Sequence, residues 1–155
     1  MKTLIAYYSR TGMTKKVGLR LASLLGADIE ELIDTDSRAG AWGYIKSGRE
    51  AMQKKLAVLE TTKFSASDYD LVIVGTPTWA YAMSCPIRTY LSENKNKIKK
   101  IAFFATHGSD GGLKAIQQMA QLTELKPEAE LVLTSKEAIL DNYQDKLNLF
   151  IERVK

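Results

Sequence analysis

The sequence predicts an α/β fold, a three-layer, doubly wound parallel sheet of five strands with helices on both faces. Two observations predict it. Short apolar runs recur along the chain, and stretches with helical periodicity separate them. Three of the runs carry no charge at all, as strands do when helices cover both faces of a parallel sheet. A length of 155 residues fits a single domain, 1–155, and 45% hydrophobic with 26% charged residues is a globular balance.

The first strand is expected over 3–8 (TLIAYY), and a helix follows over 14–25 with Val17, Leu21, Leu24 and Leu25 on one stripe. Residues 28–33 (DIEELI) mix charge into an apolar run, as an edge strand does. A long connection, 34–67, follows, with a basic surface helix expected over 47–59 carrying Lys54 and Lys55. The third strand is expected over 71–75 (LVIVG). A helix over 86–91 then starts with proline in its first turn, where a missing N–H costs little. Residues 101–105 (IAFFA) are expected as the fourth strand, and 112–122 as a helix with Leu113, Ile116, Met119 and Ala120 on one face. A weaker strand over 129–134 (AELVLT) is the second edge, and a helix over 142–154 closes the chain.

Composition excludes several classes. The one cysteine, Cys85, has no partner within the chain and suits a reducing compartment, so a cytoplasmic location is expected. One cysteine and one histidine do not make a structural zinc site. No apolar run is long enough for a membrane span or a signal-peptide core. The net charge of +4 points mildly to acidic partners, and nucleic acid is not expected among them.

In an open parallel sheet, ligands sit outside the carboxyl ends of the strands, which singles out three loops. The first is Ser9, Arg10, Thr11, Gly12, Met13 and Thr14, leading straight into a helix. Hydroxyls and a glycine at the amino end of a helix suit a phosphate, held by open N–H groups and the helix dipole. Simple N-capping by Thr11 or Thr14 is the alternative. The loop is neither a Walker loop nor a dinucleotide fingerprint, since it has no glycine-lysine pair and only one glycine. The second loop is Thr76, Pro77, Thr78, Trp79, Ala80 and Tyr81, whose indole and phenol could stack on a flat ligand. Alternatively Trp79 plugs the core. Cys85, just beyond, has no base nearby in sequence and reads as packing. The third loop is Thr106, His107, Gly108, Ser109, Asp110 and Gly111, where glycines let backbone N–H groups approach a ligand and Ser109 or Asp110 could cap the next helix.

Two phosphate-handling folds with related sheets are excluded. A receiver domain needs acids after the first strand and an aspartate ending the third, where this chain has Tyr8-Ser9 and Gly75-Thr76; Lys136 alone would fit. A small tyrosine phosphatase needs an arginine six residues after its cysteine, and Cys85 is followed there by Leu91.

Together the three loops resemble the flavodoxin family over essentially the whole chain. Residues 7–14 (YYSRTGMT) are similar to its loop for the phosphate of flavin mononucleotide (FMN), 75–79 to its second, ring-facing loop, and 106–111 to its third. Residues 38–51 resemble an insertion found after the second strand in some flavodoxin-like proteins. The resemblance implies a short-chain form with strand order 2-1-3-4-5 and FMN as cofactor. It implies phosphate contacts from Ser9, Thr11 and Thr14, and a ring between the second and third loops with Trp79 or Tyr81 against one face. Two departures stand out: Met13 replaces the family's usual asparagine, and the chain is basic where electron-carrying flavodoxins are acidic. The implied function is electron transfer through FMN to redox partner proteins. An FMN-dependent oxidoreductase that uses NAD(P)H to reduce a small acceptor such as a quinone is the alternative, and a flavin-free binding or scaffold protein is a third. The oligomeric state stays open.

Overall fold

A computed structural model describes residues 1–155. In chain order the elements are β1 (Thr3–Tyr7), α1 (Met13–Leu25), β2 (Asp28–Glu31), α2 (Gly40–Met52), β3 (Leu71–Trp79) and β4 (Ala82–Met83). They continue with α3 (Cys85–Asn94), β5 (Ile101–His107), α4 (Gly112–Thr123), β6 (Glu130–Thr134), α5 (Ser135–Leu140) and α6 (Gln144–Val154). The five long strands are all parallel in the order β2-β1-β3-β5-β6, which is the expected order once the small β4 is counted. Both charge-bearing strands, β2 and β6, lie at the edges.

Alternation along the central strands divides the core in two. Leu4, Ala6, Val72, Val74 and Phe103 pack on one face with Ile87 and Leu91 of α3 and Ile116 and Met119 of α4. Ile5, Tyr7, Leu71, Ile73 and Phe104 pack on the other with Val17 and Leu21 of α1 and Leu147, Phe150 and Val154 of α6. Every central strand is therefore covered on both sides, which is why its sequence is apolar throughout.

Three features depart from the sequence expectations. β3 runs on past Gly75 to Trp79 and turns back through Ala80 and Tyr81 into β4, so most of the expected second loop is a hairpin. Turn residues here carry no Gly or Asn signal: Ala80 and Tyr81 both have positive φ, 48° and 64°. The helix expected over 47–59 instead spans Gly40–Met52, which leaves Lys54 and Lys55 beyond its end. A short helix, α5, separates β6 from α6 and had no periodic signal of its own.

The 34–67 connection is pinned rather than loose. Asp34 bridges Leu59, and the amide N–H groups of Lys63 and Phe64 donate to buried Glu30 at 2.8 and 3.0 Å. Arg38, buried, is held by Asp34 and by Glu50 of α2 at 2.8 Å, and its guanidinium lies 5.1 Å above the Trp79 ring centroid. Burial alone would lower the Arg38 pKa, but the two carboxylates outweigh it and hold the guanidinium raised and charged.

Candidate functional site

The three loops meet where the strand order reverses, between β1 and β3, at the carboxyl end of the sheet. There they line a cavity of about 260 Å³. The first loop supplies Arg10, Thr11, Met13 and Thr14 to its wall. The end of β3 supplies Pro77, Thr78 and Trp79, and the end of β5 supplies Thr106, His107 and Gly108. Ten of the expected site residues thus converge on one cleft across long sequence separations.

Neither threonine caps α1. Gly12 is the N-cap, in a left-handed conformation with φ 96°, and no side chain bonds the open end of the helix. Ser9 Oγ accepts the Gly12 N–H at 3.0 Å and so shapes the turn from outside the cavity wall. Thr14, buried in the first turn, pairs its hydroxyl with that of Thr106 at 2.8 Å. This hydroxyl pair ties the first loop to the third. The first N–H groups of α1 have no intrahelical partner, so this end carries positive partial charge into the cleft. α4 opens in the same way: Gly111 is its N-cap with φ 92°, and neither Ser109 nor Asp110 caps it.

The cavity wall contains Arg10 and no carboxylate. Two of its polar atoms, Thr78 Oγ1 and His107 Nδ1, are buried without any hydrogen-bond partner. Buried polar atoms are almost always paired, so these two mark where a polar ligand would complete the site. A phosphate-bearing ligand with a hydrogen-bonding ring therefore fits the residues present.

Trp79, though on the wall, is only 6% exposed, packs edge-to-face on Tyr8 with centroids 5.5 Å apart, and belongs to the core. The remaining expected residues stand apart from the wall. Tyr81 is exposed at the hairpin tip, with Lys114 Nζ 5.4 Å from its ring centroid. Thr76 is buried and accepts the Ser84 N–H at 3.0 Å, fixing the hairpin's return. Ala80, Ser109 and Gly111 do not line the cavity. Cys85 is buried, and burial pushes its thiol pKa up, so it is a packing residue and no nucleophile.

Two wall residues escaped the sequence reading, Tyr44 and Ser135. Tyr44 folds back from α2 and sits under the Arg10 guanidinium, 5.3 Å from ring centroid to carbon, a contact between segments that no local pattern signals. Ser135 follows β6 and donates to the His107 carbonyl at 3.2 Å. The end-of-strand rule, applied to the last strand as well, would have found it.

The Flavodoxin family model matches residues 2–152. The chain belongs to the flavodoxin family. A search of curated proteins finds no match. Solved structures of other flavodoxin-like proteins share the fold. The flavoprotein of Lactobacillus acidophilus NCFM, solved in complex with FMN, is 22% identical with a TM-score of 0.72, covering 92% of this chain and 98% of that one. A protein of Bacteroides eggerthii DSM 20697 named for flavoprotein character is 20% identical with a TM-score of 0.76, covering 97% and 98%. The FMN-bound flavodoxin of Fusobacterium nucleatum is 11% identical with a TM-score of 0.59, covering 99% and 97%.

Proposed function

We propose that this flavodoxin-family protein binds FMN in the cleft between its three loops and passes electrons from the ring to partner proteins. The observation that carries the reading is the polarity of the cleft. An uncapped helix end with hydroxyls lies on one side, unpartnered Thr78 Oγ1 and His107 Nδ1 lie on the other, and no carboxylate intervenes. The FMN complex of the L. acidophilus flavoprotein, which has the same fold, supports it.

On this reading the α1 amino end binds the phosphate, with Thr11 and Thr14 hydroxyls donating and Arg10 adding charge. Ser9 and Gly12 keep the turn open so that successive N–H groups point outward. Thr78 and His107 orient the polar edge of the ring, and Gly108 lets the β5 backbone approach it. Trp79 and Pro77 exclude water from beneath. Bound FMN supplies reversible one- and two-electron chemistry; the protein sets its access and potential.

Titration calorimetry with FMN and with riboflavin tests the binding. FMN is expected to bind far more tightly, with inorganic phosphate competing. Equal affinity for the two flavins would remove the phosphate site. For the transfer step, reduced FMN-loaded protein is mixed with a haem protein, and rapid haem reduction is expected. Sustained NADH or NADPH oxidation with a quinone, by the protein alone, would replace the carrier reading with a reductase.

A further inference from the structure

Helix α2 is packed the wrong way round for a surface helix. Its buried stripe is Gly43, Ser47 and Ala51, all small, while its bulky apolar residues face solvent. Trp42 is 75% exposed and Met52 69%, and Tyr44 and Ile45 are exposed as well. At 3.6 residues per turn, Trp42, Ile45, Arg49 and Met52 fall on one side, opposite the buried stripe. Contiguous exposed apolar residues of this size mark an interaction surface.

The helix is not a mobile excursion. Arg38 clamps it through Glu50 and Ser47 and touches Trp79, so its position is coupled to the cleft. A second, mainly apolar groove of about 270 Å³ runs between α2 and the hairpin, and Tyr44, Thr78 and Trp79 wall both it and the candidate flavin cleft. Whatever covers α2 therefore lies against the mouth of the site.

We infer that the outward face of α2 is the docking surface for an acidic protein, which receives electrons from the cleft beside it. The occupant follows from the charges. Arg49, at the centre of the apolar face, is exposed and makes no ion pair in the molecule. Arg10, over the Tyr44 ring, and Lys54 and Lys55, just past the end of α2, carry the same sign, whereas Lys46 is paired with Asp36 at 2.9 Å and Arg38 with Asp34 and Glu50. An acidic protein can offer Arg49 a bidentate carboxylate while its apolar surface covers Trp42 and Met52. Tryptophan, tyrosine and arginine are the residues that dominate such interfaces. A second copy would bring the same cations face to face, and a bilayer would have to take the Arg49 guanidinium into its apolar layer. The inference rests on the carrier reading for its purpose, but its test does not.

The test is a ¹⁵N chemical-shift titration of the whole chain, FMN-loaded and FMN-free, with cytochrome b5 as the acidic probe and cytochrome c as the basic one. At an ionic strength of about 10 mM, where screening acts over about 30 Å, cytochrome b5 should shift Trp42, Tyr44, Ile45, Arg49 and Met52. Arg49→Glu and Trp42→Ala should each weaken that binding about tenfold or more, with the unfolding midpoint unchanged. The inference is overturned by equal shifts with cytochrome c, by shifts mapping elsewhere, or by indifference to Arg49→Glu. It is equally overturned if these residues respond to phosphatidylglycerol vesicles and not to cytochrome b5, or to protein concentration alone. Should FMN fail to bind while the cytochrome b5 response persists, the carrier reading falls and the docking face stands.

Discussion

Replacing Thr14 by valine removes one hydroxyl from the centre of the site and keeps the side-chain shape. Two consequences follow from its surroundings. Thr14 and Thr106 are both buried and bond only to each other at 2.8 Å, so the variant leaves the Thr106 hydroxyl buried and unpaired. That should cost about 1–3 kcal/mol of folding stability. A hydrogen bond to a charged phosphate is worth about 1.5–3 kcal/mol, so FMN affinity should fall about 10- to 150-fold. Riboflavin has no phosphate, and its affinity should fall by no more than a few-fold. Urea unfolding without ligand measures the first effect, and flavin fluorescence titration the second. The two are linked: FMN at 100 times its Kd adds about 2.7 kcal/mol to stability, and a tenfold weaker variant at that concentration keeps about 1.4. Thr14→Ser, which restores the hydroxyl, should recover most FMN affinity. Equal losses for FMN and riboflavin, or no loss for FMN, would refute the assignment of the phosphate to the α1 amino end.

Other perturbations follow from the same contacts. Gly111→Ala combines a φ of 92° with a Cβ placed 2.8 Å from Tyr81 Cδ1 and 2.9 Å from Tyr81 Cα. It should cost about 2–4 kcal/mol by thermal unfolding and loosen the β3–β4 hairpin, and an unchanged midpoint would contradict the packing. Cys85 is expected to resist iodoacetamide at neutral pH in the folded protein and to react once urea unfolds it, because burial raises its thiol pKa. A raised thiol pKa means that this contribution to stability is present below the unfolded-state value and is lost as pH rises past it. Glu137, drawn down first by the Lys146 ammonium and then by the Thr134 N–H, behaves in the opposite sense. Its contribution is present above the ordinary glutamate value near 4.5 and is lost as pH falls, so Glu137→Gln should flatten the acid limb of an unfolding-versus-pH profile.

Much of the architecture was legible in the residues because burial on both faces leaves a mark on every position of a strand. The runs at 3–8, 71–75 and 101–105 are apolar throughout for that reason, and the charged runs at 28–33 and 129–134 belong to the edges, where one side meets water. The first loop was legible too, since a glycine flanked by hydroxyls at the start of an amphipathic helix is a local pattern with a local cause. Where the sequence left a choice open or misled, the cause was long-range. Trp79 could stack on a ligand or plug the core, and it is Tyr8 and Arg38, packed against it, that place it in the core. Helix α2 begins seven residues earlier than the basic pattern suggested, because its inward face is chosen by contact with Arg38 and the hairpin rather than by a hydrophobic stripe.

The chain alone therefore determined the class of fold, the order of the main elements and the glycine-and-hydroxyl turn that opens α1, since each depends on neighbours three or four residues away. Tertiary structure decided which hydroxyls meet, that Tyr44 and Ser135 wall the cleft, and which face of α2 is left outward. Those outcomes depend on residues such as Thr14 and Thr106, 92 positions apart, whose encounter is fixed only when the sheet has assembled between them.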